Sequence, residues 1–264
     1  NALPRGQKPP HKWPRTRSHL RLQDCDNITL RNLKIKGPNA KGGTSEEGGN
    51  AAFEAQHGVE ISGSNQITLN NLKIEYVYGD FVYIGGRGEK WSSYISVKNC
   101  HFHHNGRQGI AITAGEHILI ENNYLGHIRR SSIDFEPNTP EGGARHITIR
   151  NNVFGPGRLT WLASKGRGGN IGHILVENNL LNGKSPNVII GIDQYRRGPI
   201  TIRHNMADTR HGNPSGTAWQ FLNIDGLTVE GNFIPLQPGR NMKLVRFKNC
   251  TDVTVENNAL LNAV

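Results

Sequence analysis

Several ingredients of an ordinary globular enzyme are scarce in this 264-residue sequence. Hydrophobic residues make up only 35 % of it and the mean hydropathy is −0.56, too polar for a helix-rich α/β enzyme of this length. No run of eighteen apolar residues occurs, so no segment reads as a membrane-spanning helix. There are only three cysteines, Cys25, Cys100 and Cys250. An odd number at wide spacing fits neither a disulfide framework nor a metal centre, and three buried thiols are expected. Aromatics are 7 % and no nucleic-acid recognition motif is present, which leaves charge alone to speak for nucleic acid. No signal peptide heads the chain, which opens at Asn1, so a leader or an earlier domain is expected before it. Acidic residues are outnumbered by basic ones, 21 to 31, and the net charge of +10 predicts attraction to polyanions.

What the chain does have is glycine, 32 residues of it, and short β-branched triplets that disordered chains lack. A pattern recurs: two apolar residues around a polar one, then a polar residue, then Asn or Asn-Asn. Its copies begin at Ile28, Ile67, Ile95, Ile118, Ile147, Ile174, Ile200, Leu227 and Val253. Later starts fall 23 to 29 residues apart; the first gap of 39 holds a Gly-rich insert at about 38–52, read as a surface loop. Positions one and three of each copy point inward and position two outward, the period of a strand. One such strand cannot bury its face alone, but stacking coils about 4.8 Å apart builds a continuous core. Asparagine recurs at one corner (Asn123, Asn152, Asn179, Asn205, Asn232, Asn258), where it tolerates left-handed backbone and hydrogen-bonds the next coil. The expected fold is all-β: a right-handed parallel β-helix of about nine coils with an asparagine ladder, over residues 21–264. Residues 1–20 read as an irregular, basic, Pro-rich lead-in. The chain ends at Asn262-Ala263-Val264 directly after a repeat, so further chain or a partner is expected to cap the solenoid there.

This organisation resembles the pectate lyases, polygalacturonases, alginate lyases, mannuronan epimerases and phage tailspikes. The resemblance implies a carbohydrate-active or carbohydrate-binding protein whose substrate groove lies on one outward sheet face. The chain departs from the characterised motifs. Gly79-Asp80-Phe81 keeps only the first half of Gly-Asp-Asp, and Gly-His-Gly and Asp-Pro-His-Asp have no match. The stretches 79–85, 106–110 and 132–138 resemble bacterial and phage β-helix repeat proteins, and that resemblance implies no particular reaction.

A second strand per coil is aligned by its inward pair: Val59/Ile61, Val82/Ile84, Ile110/Ile112 and Ile133/Phe135, then Ile190/Ile192 and Val245/Phe247. Between the pairs, Glu60, Tyr83, Ala111 and Asp134 then form one outward column. Ser62, Gly85, Thr113 and Glu136 form a second, and His57, Asp80, Gln108 and Ser131 a third. Arg107 and Arg130 precede Gln108 and Ser131. Asp134 and Glu136 lie about 6.5–7 Å apart at the backbone. That spacing fits the carboxylate pair of an inverting glycosidase, or equally a surface pair bridged to Arg107, Arg129 or Arg130. His57 and Asp80 read as a carboxylate-oriented imidazole which, beside Arg107, could abstract a proton from a uronic acid; a cross-coil hydrogen bond explains them as well. Catalytic candidates are thus His57, Asp80, Arg107, Asp134 and Glu136. Substrate-binding candidates are Glu60, Gln108, Arg130, Lys165 and Asp193, with Tyr83 as a stacking face for a sugar. His101, His103 and His104 read as solvated histidines rather than metal ligands, and no cofactor is specified; Ca²⁺ has no motif here.

The expected function is polysaccharide processing, by a lyase or glycoside hydrolase acting on an anionic polysaccharide outside the cell. The competing expectation is a non-catalytic tailspike, homotrimeric and on a virion surface, or a surface adhesin.

Overall fold

The computed structural model describes residues 18–183, 187–192, 194–208, 217–234 and 243–259. Most of the lead-in lies outside them, as does Asp193. Strands follow one another in a strict three-step cycle and pair only with the equivalents one coil away, always in parallel. The first sheet has nine strands, from Leu20–Gln23 to Lys243–Lys248; the second has nine, from Asp26–Arg31 to Thr251–Glu256. The third has seven, from Lys34–Lys36 to Met206–Asp208. Seven coils therefore carry all three strands. The last two close their third side with isolated bridges from Phe233 to Met206 and to Ala259, so nine complete coils was slightly too high a count.

The interior is a stack of β-branched and aromatic side chains. Val59, Val82, Ile110, Ile133, Leu162, Val188 and Trp219 follow one another in register and are all buried. Each such side chain contributes about 1.5–3 kcal/mol by leaving water. Aromatic rings fill the width of the core, as in Phe81 on Phe102 at 5.5 Å and Trp161 near Trp219 at 6.5 Å. The inward pairs of the first four coils fall as the alternation predicts, and so does Val245/Phe247 opposite Trp219/Phe221. One pair does not. In the seventh coil Val188 and Ile190 are the inward pair, two residues before the expected Ile190/Ile192, because Val188, Ile190 and Ile192 are apolar at the same parity and alternation alone does not say where along the run the pair lies.

At the corner after the second sheet, two asparagine columns divide the work expected of one. Asn71, Asn99, Asn122, Asn151, Asn178 and Asn257 adopt φ near +55° and turn the chain. The buried asparagines that follow form the ladder. Asn152 accepts the Asn123 N–H at 2.9 Å and its amide donates to Ile120 O at 2.9 Å and to Asn179 Oδ1 at 3.0 Å. The pattern repeats through Asn179, Asn205, Asn232 and Asn258. At the other end Cys100 takes the asparagine's place, its N–H donating to Asn123 Oδ1 at 2.8 Å. Burial pushes the Cys100 thiol up to about 11, whereas Cys25 and Cys250 are only half-buried, which corrects the expectation of three buried thiols. The Gly-rich insert forms two short 3₁₀ turns, Glu46–Gly48 and Ala51–Phe53, laid along the flank of the following coils.

Candidate functional site

The outward columns of the first sheet stand as aligned, with Glu60 beside Tyr83, Tyr83 beside Ala111 and Ala111 beside Asp134. Further along, this column continues into Ala163 and Ile189, apolar residues without a charged arm to reach across the sheet. A cleft of about 860 Å³ opens there. Asp134 and Glu136 stand on one wall, Lys165, Arg167 and Arg158 line the other sides, and Ile189 forms part of the floor.

Behind the carboxylates runs a chain of buried polar contacts. Asp80, fully buried, accepts the Gln108 N–H at 2.9 Å through Oδ1 and Arg107 Nη1 at 2.8 Å through Oδ2. The other arm of the guanidinium, Nη2, donates to Glu136 at 2.6 Å. Burial alone would lower the Arg107 pKa, but Asp80, Glu136 and Glu54 outweigh it and hold the group above its ordinary value. Gln108 links the two rows: its amide donates to Asp134 Oδ2 at 2.6 Å and its carbonyl accepts the Ser131 N–H at 2.7 Å. Asp134 is 6 % exposed, and burial, reinforced by the charge of Glu136, pushes its pKa up to about 8. Two carboxyl groups two residues apart therefore sit in different environments, one dry and amide-bonded, the other in an ion pair.

Other candidates are placed differently. His57 Nδ1 lies 3.0 Å from the donating Asp80 N–H and 3.2 Å from Asp80 Oδ2, so the carboxylate does border the imidazole. The ring is buried, however, and Tyr83 stacks over it at 4.8 Å. Tyr83 thus has one face occupied, and its hydroxyl accepts from Thr113 Oγ1 at 2.9 Å. Glu60 faces the first coil, where Ser18 and Arg21 donate to it, the latter at 3.0 Å. Arg130 is paired with Glu54, which follows the insert's second turn. Of the surrounding residues, Lys165 reaches the cleft, while Arg107 and Gln108 act from behind its wall. His103 and His104 are not free in solvent: they are half-buried with their Nδ1 atoms 2.8 Å apart, and His103 Nε2 lies 3.2 Å from Glu75. Burial and the neighbouring His104 lower the His103 pKa to about 4. Among the described residues no group of three or more His, Cys, Asp or Glu is arranged to hold a metal ion.

Arg158 was absent from the sequence-derived candidates. It sits in the turn before strand Leu162–Ser164, where no periodicity marks it. The Gly-flanked Lys165 and Arg167 were visible, but nothing in the alternation linked them to Asp134.

The family model for the right-handed β-helix region matches residues 18–234, and the chain belongs to that family. No curated protein sequence matches it. Among solved structures, the surface protein and adhesin PfbA of Streptococcus pneumoniae is similar with a TM-score of 0.62 at 14 % identity, over 89 % of this chain and 74 % of that one. A second structure of the same adhesin gives a TM-score of 0.57 at 13 % identity over 90 % and 72 %. A hyperthermoactive exopolygalacturonase from Thermotoga maritima gives 0.52 at 15 % identity, over 76 % of this chain and 52 % of the enzyme, about half its length. At these identities the likeness is one of fold. No described helix is long and apolar enough to cross a membrane.

Proposed function

We propose that the protein is an extracellular glycoside hydrolase that cleaves an acidic polysaccharide in the cleft between Asp134 and Lys165. The observation that carries this reading is the Asp134–Glu136 pair. A carboxyl group with a pKa of about 8 holds its proton at neutral pH, as a general acid must. Glu136 faces the same cleft in an ion pair with Arg107. In the reaction, Asp134 gives its proton to the glycosidic oxygen as that bond breaks. Glu136 takes a proton from the water that attacks the anomeric carbon from the opposite face, with inversion. Arg107 is occupied by Asp80 and Glu136, so the cations for a substrate carboxylate are Lys165 and Arg167, while Arg158 is held by Glu46 of the insert. The hydrolase reading is favoured over a lyase because His57, the candidate base, is buried under Tyr83 and is not part of the cleft lining.

Turnover of polygalacturonate, alginate and hyaluronan, followed by reducing ends and by absorbance of unsaturated products, tests the reading. Asp134→Asn should lower the rate about 10²–10⁴-fold. Unchanged turnover in that variant removes Asp134 from the mechanism, and unsaturated products convert the reading to a lyase. The second reading, binding without cleavage, is favoured by the fold shared with a surface adhesin. It predicts affinity for an acidic glycan with no product, and solution mass then separates a trimeric spike from a monomeric adhesin.

A further inference from the structure

Beneath the cationic wall of the cleft lies an arginine that has no counter-charge among the described residues. Arg197 is 2 % exposed, its backbone bridged to Ile224 one coil on and its side chain turned into the solenoid. Nη1 donates to the carbonyl and the hydroxyl of Ser164, both at 2.6 Å. Nη2 donates to the carbonyls of Gly166 at 2.5 Å and Gly168 at 3.0 Å. Among the described residues Nε has no partner, and no carboxylate lies within ion-pair distance of the group. Burying an unmatched guanidinium is costly, and an apolar side chain of similar volume would fill the space more cheaply. A purely structural role therefore explains it poorly.

The segment it grips explains it better. Residues 164, 166 and 168 turn polar atoms down to Arg197, and the alternate residues Lys165 and Arg167 are exposed and line the cleft. From the other side the segment is pressed on the turn that follows Glu136. Arg167 N–H donates to Pro137 O at 2.7 Å, and a Cβ on Gly166 would sit 2.6 Å from Pro137, which leaves glycine as the residue that fits.

We infer that Arg197 is a positioning and specificity-determining residue of the cleft: it fixes Ser164–Gly168 from below, aims Lys165 and Arg167 at the substrate, and adds its own charge to theirs. The cleft is thereby committed to glycans that carry a carboxylate on the ring seated beside those two cations, an inference that rests on the functional reading above. Burial lowers the pKa of Arg197 to about 10, which leaves it charged at neutral pH.

Two measurements test this in the full chain with Arg197→Met, which keeps the volume, and Arg197→Lys, which keeps the charge but not the fork. Amide hydrogen exchange over 164–168, which needs no glycan, should be fastest in the Met variant and intermediate in the Lys variant. Affinity for polygalacturonate at low salt should fall about tenfold in the Met variant, with a shallower salt dependence, and recover in part with lysine. Affinity for a neutral glucan should not change. Unchanged loop exchange, or a polygalacturonate affinity and salt slope equal to wild type, overturns the inference. Should the Met variant fail to fold, the Lys variant decides alone: exchange over 164–168 no faster than in wild type overturns it. If wild-type protein binds no uronate polymer, the functional reading fails, while the exchange experiment still tests the grip of Arg197 on the loop.

Discussion

Replacing Asp134 by asparagine should make the protein more stable at high pH, and the size of the gain can be worked out. The Asp134 pKa rises from 3.8 in the open chain to about 8 in the fold, chiefly through burial. Between those values the folded state keeps a proton that the unfolded chain releases, so stability falls as pH rises from about 4 to about 8. Four units at about 1.4 kcal/mol each give a ceiling of about 6 kcal/mol, of which about 4 kcal/mol falls between pH 5 and pH 8. The Gln108 amide, donating to Asp134 Oδ2 at 2.6 Å, favours the charged form and offsets part of this. The expected difference is therefore about 2–4 kcal/mol over that interval. Asparagine has the same shape, cannot ionise, and its carbonyl oxygen can accept the same hydrogen bond. Urea unfolding of both proteins at pH 5, 6, 7 and 8 reads the effect directly. The two curves should lie close together at pH 5 and separate steadily, the variant being the more stable at pH 8. Parallel curves across the series would mean that Asp134 ionises normally, and its role as a general acid at neutral pH would fall with that result. Activity shares the same proton: a rate that depends on protonated Asp134 should decline above pH 8.

Arg107→Ala strips Asp80 of its cation while leaving it fully buried, and should cost about 3–5 kcal/mol in urea unfolding; a loss below 1 kcal/mol would show that the Gln108 N–H suffices. In the ladder, Asn152→Ala leaves the Asn123 N–H and the Ile120 carbonyl without partners and should cost about 2–3 kcal/mol. Asn258→Ala at the exposed end of the ladder should cost less, and equal effects would argue against a buried network. Glu46 of the insert is paired with Arg158 at the cleft, a surface contact worth at most about 1 kcal/mol. Glu46→Gln should leave the melting temperature nearly unchanged and tighten binding of an acidic glycan up to about fivefold, as measured by calorimetry.

The parts of this molecule that could be read in its sequence are those governed by alternation. In Val59-Glu60-Ile61 and Val82-Tyr83-Ile84 an apolar residue flanks a polar one on each side, and only one register buries the apolar pair. That register placed Asp134 beside Ala111 and Glu136 just beyond Phe135, because stacking fixes neighbours one coil away as firmly as helix periodicity fixes i and i+4. In Val188-Ile189-Ile190-Gly191-Ile192 three apolar residues share one face, so alternation gave the face but not which two of them fill the pair position. The shift matters because it puts Ile189, not Gly191, in the column beyond Ala163, where it lines the cleft.

The cations were harder to foresee for a different reason. Arg196 and Arg197 are adjacent and chemically identical, yet Arg196 lies on the surface paired with Asp225, while Arg197 is buried against three loop carbonyls. No rule of composition separates them; the turn ahead of Ile200 decides which side chain enters the solenoid. The same holds for Arg158 and Arg167, which line the cleft with Asp134 because their backbone N–H groups dock on Ile128 and Pro137 of the preceding coil. In a solenoid the strands are specified by local alternation, whereas the site is assembled by turns whose neighbours lie a full coil away. The acid of the proposed reaction was therefore legible, and the positive wall that would choose its substrate was not.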